Sequence, residues 1–304
     1  MNDDVQYYCS HSSVSNPKEY SIQLKKLPKD IKALCKIVQG LLTHETDGDI
    51  FSIKFPFSRF YELNLRYINK ILFRVFELDN TPLTQCRELK DRVIATCRDF
   101  SLLLVSICRE LGIAARLRSG FATYTFEESG IFSDHCVMEY WSDLENRWIV
   151  VDPMITPQHQ DVGRYRNDIN YFDVPKNEFF TAGQAWLAAR EGRVTVDKFA
   201  CGLNQNYRGL WYIRGRLLHD FAALNKWEMI IWDGWGYMYH EPPCSHLTNR
   251  TQLETLDALA KVLCVQNMEV NKLRQIWDEN PNLRVPSIVT SYDRFTGPRA
   301  VEVM

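Results

Sequence analysis

The segment Thr96–Gly112 reads Thr-Cys-Arg-Asp-Phe-Ser-Leu-Leu-Leu-Val-Ser-Ile-Cys-Arg-Glu-Leu-Gly. Wound as a helix, it is apolar around most of its circumference instead of along one stripe. A helix of that kind is stable only when other elements enclose it, so the rest of the chain has to build walls around it. Its ends are marked in the sequence. Thr96 is suited to an N-cap, Asp99 to the positive first turn, and Gly112 to a C-terminal stop. Cys97 then stands at the N-terminus of a buried central helix.

The walls are legible on the C-terminal side. Ala115–Tyr124, His135–Trp141 and Arg147–Asp152 have strand-like composition, and Asp143-Leu144-Glu145-Asn146 makes a turn between the last two. On His135–Trp141, alternation puts His135, Val137, Glu139 and Trp141 on one face. Upstream, a helical pattern opens at Pro28 and closes at Gly40. Ser58 is placed to cap a longer helix through Phe60, Leu63, Tyr67, Ile71 and Val75. The first twenty residues are polar and expected to be loosely held. After about residue 180 the pattern turns helical, with Ala182–Arg190, Arg208–Leu224, Gln252–Val265 and Val270–Trp277, ending in an irregular tail. The layout predicts an α+β core over 1–178, N-terminal helices included, and a helical extension over 179–304 packed on it.

Composition excludes several classes. The 304 residues carry 36 Lys plus Arg against 38 Asp plus Glu, which gives no electrostatic footprint for nucleic acid or an anionic membrane. No apolar stretch approaches the roughly 20 residues that span a bilayer, and the polar start has no signal-like core. Nine cysteines without a regular framework fit free thiols in a reducing compartment, so a cytoplasmic location is expected. There is no Gly-rich phosphate loop, and Asp47-Gly48-Asp49 is too short for a calcium loop. Cys244-Ser245-His246 and His135-Cys136 lack the spacing of a metal site, so no metal or other cofactor is expected.

The chemistry converges on three residues. An ordinary thiol, with a pKa of about 8.5, is mostly protonated at neutral pH, and a helix N-terminus favours its thiolate. Backbone N–H groups there also stabilise an oxyanion, which makes the Cys97 N–H a candidate donor. Arg98 and Asp99 read as substrate contacts or as part of a capped helix start. A two-residue turn at Asp143-Leu144 pairs Ser142 with Glu145 and, counted back, sets His135 opposite Asp152. A longer turn moves that register by a residue or two. A histidine beside an aspartate on adjacent strands is what a Cys–His–Asp site needs, with Cys97 as nucleophile, His135 as base and Asp152 as the residue that orients the histidine.

The residues that carry this reading resemble the transglutaminase-like superfamily core, which has a papain-like fold. They are Thr96-Cys97-Arg98-Asp99-Phe100, Leu111-Gly112-Ile113-Ala114-Ala115-Arg116, Ser119-Gly120-Phe121, His135 to Glu139, and Arg147-Trp148-Ile149-Val150-Val151-Asp152-Pro153. The family's catalytic cysteine, histidine and aspartate fall by position on Cys97, His135 and Asp152. Ala114 stands where proline is usual, and Cys136 and Val137 replace the usual small residue and tryptophan. The helical half resembles an extension of some uncharacterised bacterial members and imports no activity.

The resemblance implies thiolate attack on a peptide glutamine or small amide donor, loss of ammonia or amine, and a thioester. That thioester then passes to an amine or to water. A cysteine peptidase and a small-molecule amide synthase share these parts. An arylamine acetyltransferase does too, but the glycine- and glutamate-rich surroundings of its cysteine are absent. A non-enzymatic binding module with a vestigial triad is the alternative from another class. The aromatic stretch Trp227–Tyr237 is expected in the core, with a ligand groove as its other reading.

Overall fold

The computed structural model describes residues 2–125, 130–202, 204–238, 249–265 and 268–303. The chain divides into two units, Met1–Leu117 with Cys136–Val174, and Arg118–His135 with Pro175–Met304. Both mix helix and strand, so the fold is α+β.

The first unit holds the helices α1 (Asp3–Tyr7), α2 (Ser21–Lys25), α3 (Ile31–Leu41), α4 (Asp47–Ile50), α5 (Ile68–Leu78), α6 (Cys97–Glu110) and α7 (Pro157–Asp161). Strands β1 (Leu42–His44) and β2 (Val93–Ala95) pair in parallel. The long strands β3 (Ala115–Ala122) and β4 (Phe132–Ser142) are neighbours in one sheet and continue from this unit into the other. Strand β5 (Arg147–Val151) pairs antiparallel with β4.

Every residue of α6 except Glu110 is buried. That follows from its apolar circumference, and it obliges each enclosed polar side chain to find a partner. Ser101 Oγ donates to the Cys136 carbonyl at 2.9 Å, and Ser106 Oγ to the Ser15 carbonyl at 2.7 Å. Arg109 donates to the Ala115 carbonyl at 3.0 Å and to Ser15 Oγ at 2.8 Å. The helix ends where Gly112 takes a positive φ of 78°, a conformation that glycine adopts without steric cost.

Two expectations for this unit are corrected. The first twenty residues are docked, not loose. Tyr8 is 1% exposed, its carbonyl accepts the Ala115 N–H at 3.2 Å, and Ser15 anchors the α6 contacts just described. The sequence hid this because the anchors are polar. The second correction concerns the helix expected from Ser58 to Val75, which is broken. A 3₁₀ turn over Phe57–Asn64 is followed by extended backbone, and α5 begins only at Ile68. Buried Glu62 accepts from Arg59, Arg74 and the Ile94 N–H. The Arg66 carbonyl, which a continuous helix would have engaged, accepts from Arg98 at 2.7 Å.

In the second unit β3 pairs antiparallel with β6 (Phe179–Thr181), and β4 pairs in parallel with β7 (Phe199–Cys201), which pairs with β8 (Asn204–Arg208). Gly120 permits the β3–β6 approach, since a Cβ there would lie 2.1 Å from the Phe180 carbonyl oxygen. Helices α8 (Ala182–Arg190), α9 (Leu210–Leu224), α10 (Arg250–Leu263) and α11 (Val270–Glu279) complete the helical pattern. Trp186 is fully buried and donates to Asp257 at 2.7 Å. Of the aromatic stretch, Met229, Ile230 and Trp235 are buried, and Trp227 stacks on Trp277, which places it in the core.

The tail is not irregular. Strand β9 (Asp233–Gly234) pairs with β10 (Ile288–Asp293), which forms a hairpin with β11 (Gly297–Glu302). The buried face of β10 is Val289, Ser291 and Asp293. Two of those three are polar, so the alternation of a half-buried strand is invisible in the sequence.

Candidate active site

Cys97 is the first residue of α6 and is 8% exposed. The helix start is held from within. Asp99 Oδ2 accepts from the Thr96 N–H at 2.8 Å and from Thr96 Oγ1 at 3.0 Å, and Asp99 Oδ1 accepts from Arg98 at 2.8 Å. Arg98 is fully buried and ends on the Arg66 carbonyl. Both residues therefore fix the position of Cys97 and are not aimed at a substrate.

His135 lies on β4, 5% exposed, with its ring edge-on to Tyr124 at 6.0 Å. It closes the short segment of the second unit, and Cys136 returns the strand to the first. Asp152 directly follows β5 and is 1% exposed. Its N–H donates to the Tyr171 carbonyl at 2.9 Å, and its Oδ1 accepts from the Met154 N–H at 3.0 Å.

The hairpin register differs from the two-residue-turn count. Ser142 pairs with Arg147 and Met138 with Val151, because the connection uses all four residues 143–146, with Asn146 at φ 52°. The shift is two residues, so it leaves the faces unchanged. One step further, this register sets Asp152 opposite Val137, which shares its face of β4 with His135. Glu139 on that face accepts from Arg116 at 2.6 Å, and Arg116 lies over the Trp148 ring at 3.9 Å, so Glu139 is a packed ion pair.

Sequence reasoning missed a polar cluster in the first unit. His159 Nε2 donates to Asp47 Oδ1 at 2.9 Å. Its Nδ1 accepts from the Thr156 N–H at 3.2 Å, which fixes the tautomer. Asp47 Oδ2 accepts from the His44 N–H at 2.7 Å and from Thr43 Oγ1 at 2.9 Å. With both ring nitrogens engaged, His159 has no basic nitrogen to offer a thiol. No spacing rule could have found this pair, since its members lie 112 residues apart.

Burial opposes the Asp47 charge, but the hydrogen bonds from His159 and His44 and the fields of those two residues hold its carboxyl below the ordinary range. A depressed folded pKa adds stability above the unfolded value of about 3.9 and loses it as pH falls through the folded value. Asp47→Asn is therefore expected to lower stability near pH 7 by about 1–3 kcal/mol. The gap to the wild type should shrink as the pH falls below about 4. Urea unfolding at a series of pH values reads it, and a gap that stays constant would refute a stabilising Asp47 carboxylate.

Four other thiols are disfavoured as nucleophiles for identifiable reasons. Burial pushes Cys108 up to about 12 and Cys264 up to about 11. The charge of Asp134, with burial, takes Cys201 to about 12. Burial also lifts Cys35 well above its ordinary range. Cys86 is exposed and contacts Arg92 at 3.3 Å. Cys244 and His246 lie outside the described residues. Among the described residues no group of three or more His, Cys, Asp or Glu is arranged to hold a metal ion, and no helix is long and apolar enough to cross a membrane.

Residues 66–153 match the model of the transglutaminase-like superfamily. That span contains Cys97, His135 and Asp152. No curated protein matches the sequence. A solved structure of a candidate cysteine protease from Cytophaga hutchinsonii is 14% identical over 60% of this chain, with a TM-score of 0.35. This chain spans 46% of that protein's length. A likeness at that level carries no structural argument, and the fold described above rests on the strands and helices themselves.

Proposed function

From a chain that carries a transglutaminase-like core over residues 66–153, we propose an enzyme that transfers or hydrolyses acyl groups through a thioester on Cys97. The match supports a cysteine-based enzyme in general; the reaction type and the roles below are our reading. Cys97 attacks the carbonyl of a peptide glutamine or small amide. His135 accepts the thiol proton and returns it to the leaving amine. Asp152 holds the imidazole in one tautomer and stabilises the imidazolium. The thioester then leaves to an amine or to water.

One observation carries this reading, the hydrogen bond from Ser101 to the Cys136 carbonyl at 2.9 Å. Cys97 and Ser101 are four residues apart on α6, hence on one helical face, and Cys136 directly follows His135. The bond therefore holds the face of α6 that bears Cys97 to Cys136, the residue of β4 that follows His135 in the chain. The helix N-terminus adds a field that favours thiolate at Cys97.

The test is the pH dependence of iodoacetamide alkylation, mapped cysteine by cysteine by mass spectrometry, in the wild type and in His135→Ala. Cys97 should react faster than exposed Cys86 below about pH 7 and lose that advantage without His135. Equal rates at the two residues in the wild type would favour the binding-module reading.

A further inference from the structure

The turn that begins at Asp152 is held by a side chain from the far end of the first unit's sequence. Asp152 Oδ1 accepts from the Met154 N–H at 3.0 Å, so the position of Met154 sets the plane of the carboxylate. Pro153 and Ile155 flank Met154, and both present their carbonyls to Gln39. Gln39 Nε2 donates to the Pro153 carbonyl at 3.1 Å and to the Ile155 carbonyl at 2.9 Å. Residues 152–155 are all buried, and a buried carbonyl needs a donor.

This contact calls for an amide nitrogen. Two carbonyl oxygens are acceptors, so only the NH2 end of the Gln39 amide, with its two hydrogens, can serve both. The platform behind it is firm. Gln39 is half-buried near the end of α3, whose Leu34, Cys35, Ile37, Val38, Gly40 and Leu41 are buried. Helix α3 packs against α6, the helix that starts at Cys97. One helix of the first unit therefore supports both the nucleophile's helix and the turn after Asp152. On the other side of the turn, the Tyr171 carbonyl accepts the Asp152 N–H at 2.9 Å. Functional side chains have to be held to within about 0.5 Å of their working geometry, and partners of this kind do that.

We infer that Gln39 is a positioning residue for the thiol chemistry and acts through Asp152. Its amide ties the 152–155 turn to α3, and the turn aims the carboxylate that orients His135. The inference rests on the Cys97 thioester reading, and Gln39 itself touches no reacting atom. With the tie removed, the Asp152 carboxylate drifts from the imidazole edge. The imidazolium–thiolate pair then loses part of its stabilisation, so both the rate of acyl transfer and the pH profile of Cys97 shift. A residue that only supported the fold would move the unfolding midpoint and leave that profile alone.

The test reads acetylation of Cys97 by p-nitrophenyl acetate and the pH profile of its alkylation by iodoacetamide, with circular dichroism as the check on folding. Gln39→Met keeps the side-chain length and removes both donors. It is expected to slow acetylation by about 30-fold, inside the loss of about 100-fold that a displacement near 1 Å can cause. It should also raise the alkylation midpoint of Cys97 toward the ordinary thiol value of about 8.5. Gln39→Lys restores N–H donors and should bring acetylation back to within about threefold of wild type. In an Asp152→Asn background Gln39→Met should cause no further loss, because a residue that acts through Asp152 has nothing left to position. Should Gln39→Met fail to fold, Gln39→Glu, which sets an oxygen against the two carbonyls, carries the same test. Wild-type acetylation and pH profile in the folded variant overturn the inference and leave the thioester reading standing. A full second loss in the Asp152→Asn background overturns it too, as does a lysine variant as slow as the methionine one. If wild-type Cys97 reacts with neither reagent faster than Cys86, the thioester reading fails and this inference fails with it.

Discussion

Asp152→Asn is expected to slow acetylation of Cys97 by p-nitrophenyl acetate by about ten-thousand-fold while leaving the protein folded. The magnitude is that seen when the aspartate of a nucleophile–histidine–aspartate site loses its charge and the histidine takes the wrong tautomer. The substitution is mild for the backbone. The Asp152 N–H still donates to Tyr171, and the asparagine Oδ1 can still accept from the Met154 N–H. What disappears is the negative charge and the second acceptor oxygen, on a side chain that is 1% exposed and thus in a setting where charge acts strongly. Stopped-flow release of nitrophenolate measures the rate, and circular dichroism checks the fold. A loss below tenfold would mean that His135 is oriented by something other than Asp152, and the triad assignment would fall. Asp152→Asn should weaken alkylation of Cys97 as well as acetylation, because it weakens the base.

The parts of this site that were legible in the sequence are those set by local rules. Thr96, Asp99 and Gly112 mark the ends of α6, and an apolar circumference declares its burial; both features are present. Strands β4 and β5 declare themselves by alternation and a polar turn. The register between them was open by two residues, because turn length is set by backbone conformation and Asn146 at positive φ takes the longer option. What was not legible comes from distant segments meeting. Asp47 and His159 are brought together by α4 and α7. The polar N-terminus reads as a loose end until Ser15 is seen to satisfy Ser106 and Arg109 inside the core. The break at Leu65–Tyr67 has the same origin, since buried Arg98 requires a backbone acceptor and takes the Arg66 carbonyl.

Asp220→Ala, in the second unit, is expected to cost about 3–5 kcal/mol of stability, because it leaves a charge buried without its partner. Asp220 is 0% exposed. It accepts from Arg118 Nε at 2.9 Å and Nη2 at 2.8 Å, and from the Ser119 N–H at 2.9 Å. Alanine would take the carboxylate from a guanidinium that is itself 3% exposed on β3. The double variant Arg118→Met with Asp220→Leu removes both charges, and most of the loss should then disappear, since apolar replacement of a buried pair is often neutral or better. Urea midpoints of the two variants make the comparison, with the slope required to stay constant. A cost under about 1 kcal/mol for Asp220→Ala would place the pair among solvated surface bridges and contradict its burial. The Cys97 alkylation profile adds a second reading of the same variant. Asp220 spends its carboxylate on Arg118 and the Ser119 N–H, so the folded fraction is expected to keep the wild-type pH dependence while its midpoint falls. Asp152→Asn should do the reverse, with reactivity lost and the midpoint nearly unmoved. These opposite patterns distinguish a carboxylate that serves the thiol from one that serves the fold.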